Sequence, residues 1–354
     1  MAYTTIDDPS AYFQTALYTG NGGTISIVND GNSDLQPDWL WFKVRSHAGN
    51  HSLQDSVRGA SLALQSDTTS ADADVGTSQI TAFNSDGFSL SSGGDVNTNN
   101  RTYVAWQWKA GTSFSNDASS TSVGSVDSAG SVNTDAGFSI INVVKNNTTA
   151  HTVAHGLGAV PQMIMGKSRT GSSYRWIVYH KDIANTHALY LNENFAKTDS
   201  VTFWNDTTPT SSVFSLGTDN SWNGTSIFYC FAEKKGYSKF GSYVGNNNVD
   251  GNFIYTGFKP AFFLVKNATE AGYAWELFDN KRNHVDGVGN IIKNRLFPDT
   301  SAVEGTNSDG YCDFVSNGVK IRKAGDSNSA NTYIYWAIAE NPFVTSTGIP
   351  ATAR

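Results

Sequence analysis

Pro260-Ala-Phe-Phe-Leu-Val-Lys266 is one of three versions of a single stretch. The others are Pro37-Asp-Trp-Leu-Trp-Phe-Lys43 and Pro161-Gln-Met-Ile-Met-Gly-Lys167. Each sets a proline before a mostly apolar run and places a lysine six positions after the proline. A run this short fits a buried β-strand better than a helix, and proline suits a strand entry, where no ladder donor is needed. A second element follows each of the first: Tyr103-Val-Ala-Trp-Gln-Trp-Lys109, Ile227-Phe-Tyr-Cys-Phe-Ala-Glu233 and Ile334-Tyr-Trp-Ala-Ile-Ala-Glu340. These read as aromatic-rich strands closing on a charge. Two elements in the same order, three times over, make the chain a triplicated β-module.

Outward from these strands, the chain divides into a first module with its N-terminal lead (1–110), a Ser/Gly-rich tether (111–136), a second module (137–236), a third (237–343) and a tail (344–354). The tether reading rests on composition, since Phe114 is its one large side chain, and Val123, Val126 and Val132 leave room for weak edge strands. Modules two and three have no such spacer and are expected to abut more closely than one and two. Asn21-Gly22, Asp86-Gly87 and Asp309-Gly310 are turn signals between short apolar runs. Recurring every 8–12 residues, such signals indicate an all-β fold of three tandem, related, antiparallel β-sandwich modules of jelly-roll type.

Composition agrees with strands and turns: 33 glycines, 39% hydrophobic residues and only 16% charged ones. A formal net charge of −7 argues against coating nucleic acid. Cys230 and Cys312 lie in strand-like contexts and read as free core cysteines. The N-terminus lacks the basic and apolar regions of a signal peptide, and no apolar run reaches the length of a membrane span, so synthesis in a cytoplasm is expected.

The seven histidines are the first place to look for chemistry. His47 and His51 flank a Gly-Asn loop, His151 and His155 are four apart, and His180, His187 and His284 are isolated. Strand and turn residues around the pair deny it the helical face on which i, i+4 histidines bind metal. The acidic stretch Ser66–Asp74 lacks the ligand order of a calcium loop, and no P-loop, serine elbow or carboxylate pair stands out. No catalytic, cofactor-binding or metal-binding residue is assigned, and no enzyme is expected. Most aromatics sit in the copied strands and read as core; Tyr174, Trp204, Trp222 and Tyr273 are the loop-like candidates for a ligand platform. The Leu-x-Asp-x-x-Arg element, at Leu53/Asp55/Arg58 and Leu277/Asp279/Arg282, reads as an ion pair pinning a turn; the second module has His180 in place of the Asp.

Together, Tyr18-Thr-Gly-Asn-Gly22, Asp55-Ser-Val-Arg-Gly-Ala60, Thr102-Tyr-Val-Ala-Trp-Gln-Trp-Lys-Ala-Gly111 and Phe231-Ala-Glu-Lys-Lys-Gly-Tyr-Ser-Lys-Phe-Gly-Ser-Tyr243 resemble the repeat modules of virion structural proteins of tailed bacteriophages, many of them marine. The resemblance, carried further by Tyr255-Thr-Gly-Phe-Lys-Pro-Ala-Phe262, implies a non-enzymatic tail-associated or fibre-like appendage acting in host adsorption. A capsid decoration protein and a carbohydrate-binding module are the alternatives. Implied partners are other virion proteins and a host-surface glycan. A homotrimer is expected too, because the runs Phe262–Val265 and Tyr333–Trp336 are too apolar for half-exposed strands and a tethered first module could cover a neighbouring subunit.

Overall fold

The computed structural model describes residues 3–145, 149–171, 173–282 and 290–350. The protein is all-β, built from antiparallel sheets with a few single-turn helices between them. Among the described residues, no helix is long and apolar enough to cross a membrane.

One four-strand frame recurs three times. In the first copy the order is Phe13–Thr19, Thr102–Trp108, Trp39–Val44, Ser52–Asp55. In the second it is Phe138–Lys145, Gly224–Phe231, Met163–Ser168, Ile177–His180, within an eight-stranded sheet. In the third it is Ser238–Val244, Thr332–Pro342, Phe258–Asn267, Glu276–Asp279. Trp39 faces Trp108, Met163 faces Phe231 and Phe262 faces Ile338, so the second residue after each proline holds the same place in its frame. By that register Glu233 corresponds to Ala110 rather than to Lys109, and the closing charges of the first two copies are out of step by one residue. Pro37 and Pro161 precede their strands, but Pro260 lies inside one, at a bulge that spares it a ladder hydrogen bond.

Alternation along these strands decides the packing. Leu40 and Phe42 face a small sheet carrying Ile80, Phe88 and Leu90. Ile164 and Phe228 meet Val153, Phe214 and Leu216, and Phe263 and Val265 meet Ile254, Phe314 and Val319. Each frame is thus one layer of a sandwich with a core of its own. The other faces, through Trp39, Trp41, Trp106 and Trp108, Met163, Met165, Tyr229 and Phe231, and Phe262, Leu264, Trp336 and Ile338, converge on a fourth core common to all three. A frame buried on both faces needs apolar residues at nearly every position, which is why the copied strands read as continuous runs.

Two expectations change. The 111–136 stretch is no tether: Thr112–Asn116 pairs with Ser128–Asn133, which pairs with Phe138–Lys145, extending the second sheet. Main-chain hydrogen bonds carry such an edge without large side chains, and Asp117 caps the intervening helical turn. Gly130 is required by close approach rather than for flexibility, since a Cβ there would run into the Ile140 carbonyl oxygen. Nor do the second and third sandwiches alone abut closely: Phe231 meets Trp336 at 4.3 Å, and Trp39 of the first stacks on Tyr229 of the second at 4.4 Å. The runs Phe262–Val265 and Tyr333–Trp336 are therefore covered within one chain, which removes the apolar ground for a homotrimer.

Candidate functional site

The seams between sandwiches hold buried charge. Asp55, His180 and Asp279 occupy one position in the three frames, opposite Trp39, Met163 and Phe262. Each reaches the next sandwich. The Tyr229 hydroxyl donates to Asp55 Oδ2 at 2.7 Å, Trp106 Nε1 donates to Asp279 Oδ2 at 2.9 Å, and His180 Nε2 donates to the Tyr335 carbonyl at 3.2 Å. A second set sits one residue before the same strands: His51, Trp176 and Trp275 donate to the carbonyls of Phe297, Gln65 and Tyr190. The first sandwich thus holds a loop of the third, the second a loop of the first, and the third the end of a strand of the second, His187–Tyr190. The ring closes.

Two seams add ion clusters. Arg58 pairs with Asp55 at 2.6 Å and with Asp72 at 2.8 Å, and Arg169 of the second sandwich completes the set on Asp72. Arg282 repeats this with Asp279 and Glu304, completed by Arg45. The Leu-x-Asp-x-x-Arg element pins its turn, as read from sequence, and also latches sandwich to sandwich. Burial opposes the Arg58 charge, but Asp55, Tyr229 and Asp72 outweigh it and raise its pKa. The acidic Ser66–Asp74 stretch supplies Asp72 to this latch, while its Ser66 donates to the Pro298 carbonyl of the third sandwich. At the third seam, His180 and Ala268 replace the charged pair, and Lys197 N bonds the Ala268 carbonyl.

Lys43, Lys167 and Lys266 are equivalent and buried, each donating Nζ to the carbonyl of the following residue at 2.9–3.0 Å. Burial brings each lysine pKa down to about 8. Below pH 8 such a lysine is charged in both folded and unfolded chains; between pH 8 and about 10.4 the unfolded chain binds the extra proton, so stability rises with pH there. Lys266→Met lacks that gain. Measured by urea unfolding, its stability relative to the parent is expected to fall by up to about 3 kcal/mol between pH 7.5 and 10.5; a constant difference would contradict the assignment.

Three buried histidines are tied into the backbone. His51, His155 and His180 each accept at Nδ1 and donate from Nε2 to a backbone carbonyl. Burial lowers all three pKa values, that of His51 to about 3, leaving neutral rings with both nitrogens engaged. His47 is exposed and bonds Ser46, His151 bonds Ser125 and Thr149, and His187 lies 3.9 Å from Asp199. His284 lies outside the described residues. Among those described, no group of three or more His, Cys, Asp or Glu is placed to hold a metal ion. Cys230 and Cys312 are free and buried, and burial pushes both thiols up, away from nucleophilic use.

Of the four loop-like aromatics, Trp204 and Trp222 are in the core of the second sandwich and Tyr174 is half-buried. Tyr273 alone of the four lines a cavity of about 260 Å³ in the third sandwich, with Asn267, Glu276, Arg295, Asp326 and Tyr333. Arg295 bonds Glu276, lies 3.0 Å from Asp326, and rests on the rings of Tyr311 and Phe297. Burial raises the Glu276 pKa against the pull of Arg295. Three wall atoms have no hydrogen-bond partner: Glu276 Oε2, Arg295 Nε and Asn267 Nδ2. Sequence reasoning missed this set. The signal lay in aligning the copies, since Glu276 stands where the first frame has Ser52 and the second Ile177.

No curated protein and no solved structure matches the chain. One family model, described as a domain of unknown function (DUF7483), matches residues 8–342 and so runs through all three sandwiches. The chain belongs to that family.

Proposed function

We propose that the chain is a non-enzymatic structural protein of a tailed-bacteriophage virion, a tail-associated or fibre-like appendage taking part in host adsorption. The quoted elements' resemblance to virion repeat modules motivates the reading. The observation that carries it is the closed ring. Three sandwiches consume their apolar strands in one shared core and latch in a cycle, leaving a stiff block with loops outward, a form suited to bearing load and presenting contact surfaces. The engaged neutral histidines and buried thiols favour a non-catalytic role. Its partners are other virion proteins and a host-surface glycan, and the negative charge disfavours nucleic acid.

The pseudo-threefold arrangement favours one second reading, a capsid decoration protein seated by a single chain at a local threefold of the shell. Immunogold labelling of purified virions tests both. Gold at the tail is expected; gold distributed over the head would replace the first reading by the second. Absence of the protein from washed, infectious particles would remove both.

A further inference from the structure

We propose that the cavity of the third sandwich binds one neutral pyranose unit of a glycan through Asn267, Glu276 and Arg295, with Tyr273 as its outer wall. The inference deepens the adsorption reading and rests on it for biological meaning, though not for its test.

The first ground is a departure from the repeat. At the place of Glu276 the other frames bury Ser52 and Ile177, and the bridge of Leu277 to Leu296, matching that of Leu53 to Leu64, sets Arg295 against Ala63. The same sandwich therefore forms with small or apolar residues there. A buried ion pair is weak evidence of stabilisation and is commonly neutral or costly beside an apolar substitute. The fold does not ask for this one.

The second ground is what the pair leaves unmet. Glu276 is 4% exposed and Asn267 1% exposed; both residues line the cavity, and their polar atoms lacking partners lie just beneath its surface. Buried polar groups without partners are uncommon and call for an explanation. The unmet set is the Asn267 amide NH2, the Arg295 Nε–H and one Glu276 carboxylate oxygen. A hydroxyl both accepts and donates, so adjacent sugar hydroxyls answer all three. An anion would meet Glu276 and Asp326, and a cation would waste both donors. The volume, about 260 Å³, equals roughly nine waters' share of liquid volume, room for a single sugar ring. Aromatic walls at Tyr273 and Tyr333 offer apolar surface to its C–H face.

The test titrates the full chain with methyl pyranosides of glucose, galactose and mannose, and with glucuronate, by ligand-observed NMR. Saturable binding of at least one neutral sugar is expected. The double variant Glu276→Ser/Arg295→Ala, which carries the first sandwich's own residues, is expected to weaken it at least tenfold. Tyr273→Ala, which leaves the buried pair alone, is expected to weaken it severalfold and serves if the double variant does not fold. No saturable binding of any neutral sugar, binding of glucuronate alone, or affinity unchanged in these variants would overturn the proposal. Such failure would leave virion labelling untouched, so the two readings fail separately.

Discussion

Trp336→Ala is expected to destabilise the protein by about 3–5 kcal/mol, the range for removing a buried tryptophan. Its ring meets Trp108 of the first sandwich at 5.6 Å, Phe231 of the second at 4.3 Å, and Phe240 and Phe262 of the third at 6.0 and 4.9 Å. Truncation opens a cavity where three sheets meet, and no one sheet can close it without leaving the others. The loss should register in all three sandwiches, as raised amide exchange in Trp39–Val44 and Met163–Ser168 as well as around residue 336. Phe263→Ala, in the third sandwich's own core, should cost a similar amount but raise exchange mainly there. Equal local effects from the two variants would show that the shared core couples nothing.

Asp279→Ala is expected to cost about 3–5 kcal/mol, because it takes one of its two carboxylate partners from the Arg282 guanidinium, whose side chain has no exposure. The carboxylate accepts from Arg282 Nε at 2.6 Å, from the Arg282 main-chain N–H at 2.9 Å and from Trp106 Nε1 at 2.9 Å. Losing it therefore uncaps a turn, orphans an indole and leaves a charge beside Glu304. Asp279→Ala/Arg282→Met should recover part of the loss, since an apolar side chain replaces the half-paired cation. A loss of unfolding free energy of less than about 1 kcal/mol in the single variant, measured in urea, would mean that water reaches Arg282.

Much of this architecture could be read from residues alone. The prolines, apolar runs and lysines identified the frame, and Asp55/Arg58 with Asp279/Arg282 identified the pinned turns. Local pattern could not say what covers a frame on its second face. Trp39 and Leu40 look alike as apolar residues, yet one enters the shared core and the other a private core. The 111–136 stretch misled because small polar residues describe both a linker and a sheet edge held by main-chain hydrogen bonds. The pocket was half visible. Tyr273 was a candidate as a loop aromatic, whereas Glu276 and Arg295 are 19 residues apart and come together only through the fold.

Three sandwiches that share one core are expected to unfold as one body. The chain's nine tryptophans are spread over all three, at 39, 41, 106 and 108, at 176, 204 and 222, and at 275 and 336. Equilibrium urea unfolding, followed together by tryptophan fluorescence and far-ultraviolet circular dichroism, therefore samples every sandwich at once. One transition is expected, with both probes superimposing and a slope appropriate to a chain of 354 residues. Two or three separated transitions, each with the slope of a single sandwich of about 100 residues, would contradict it.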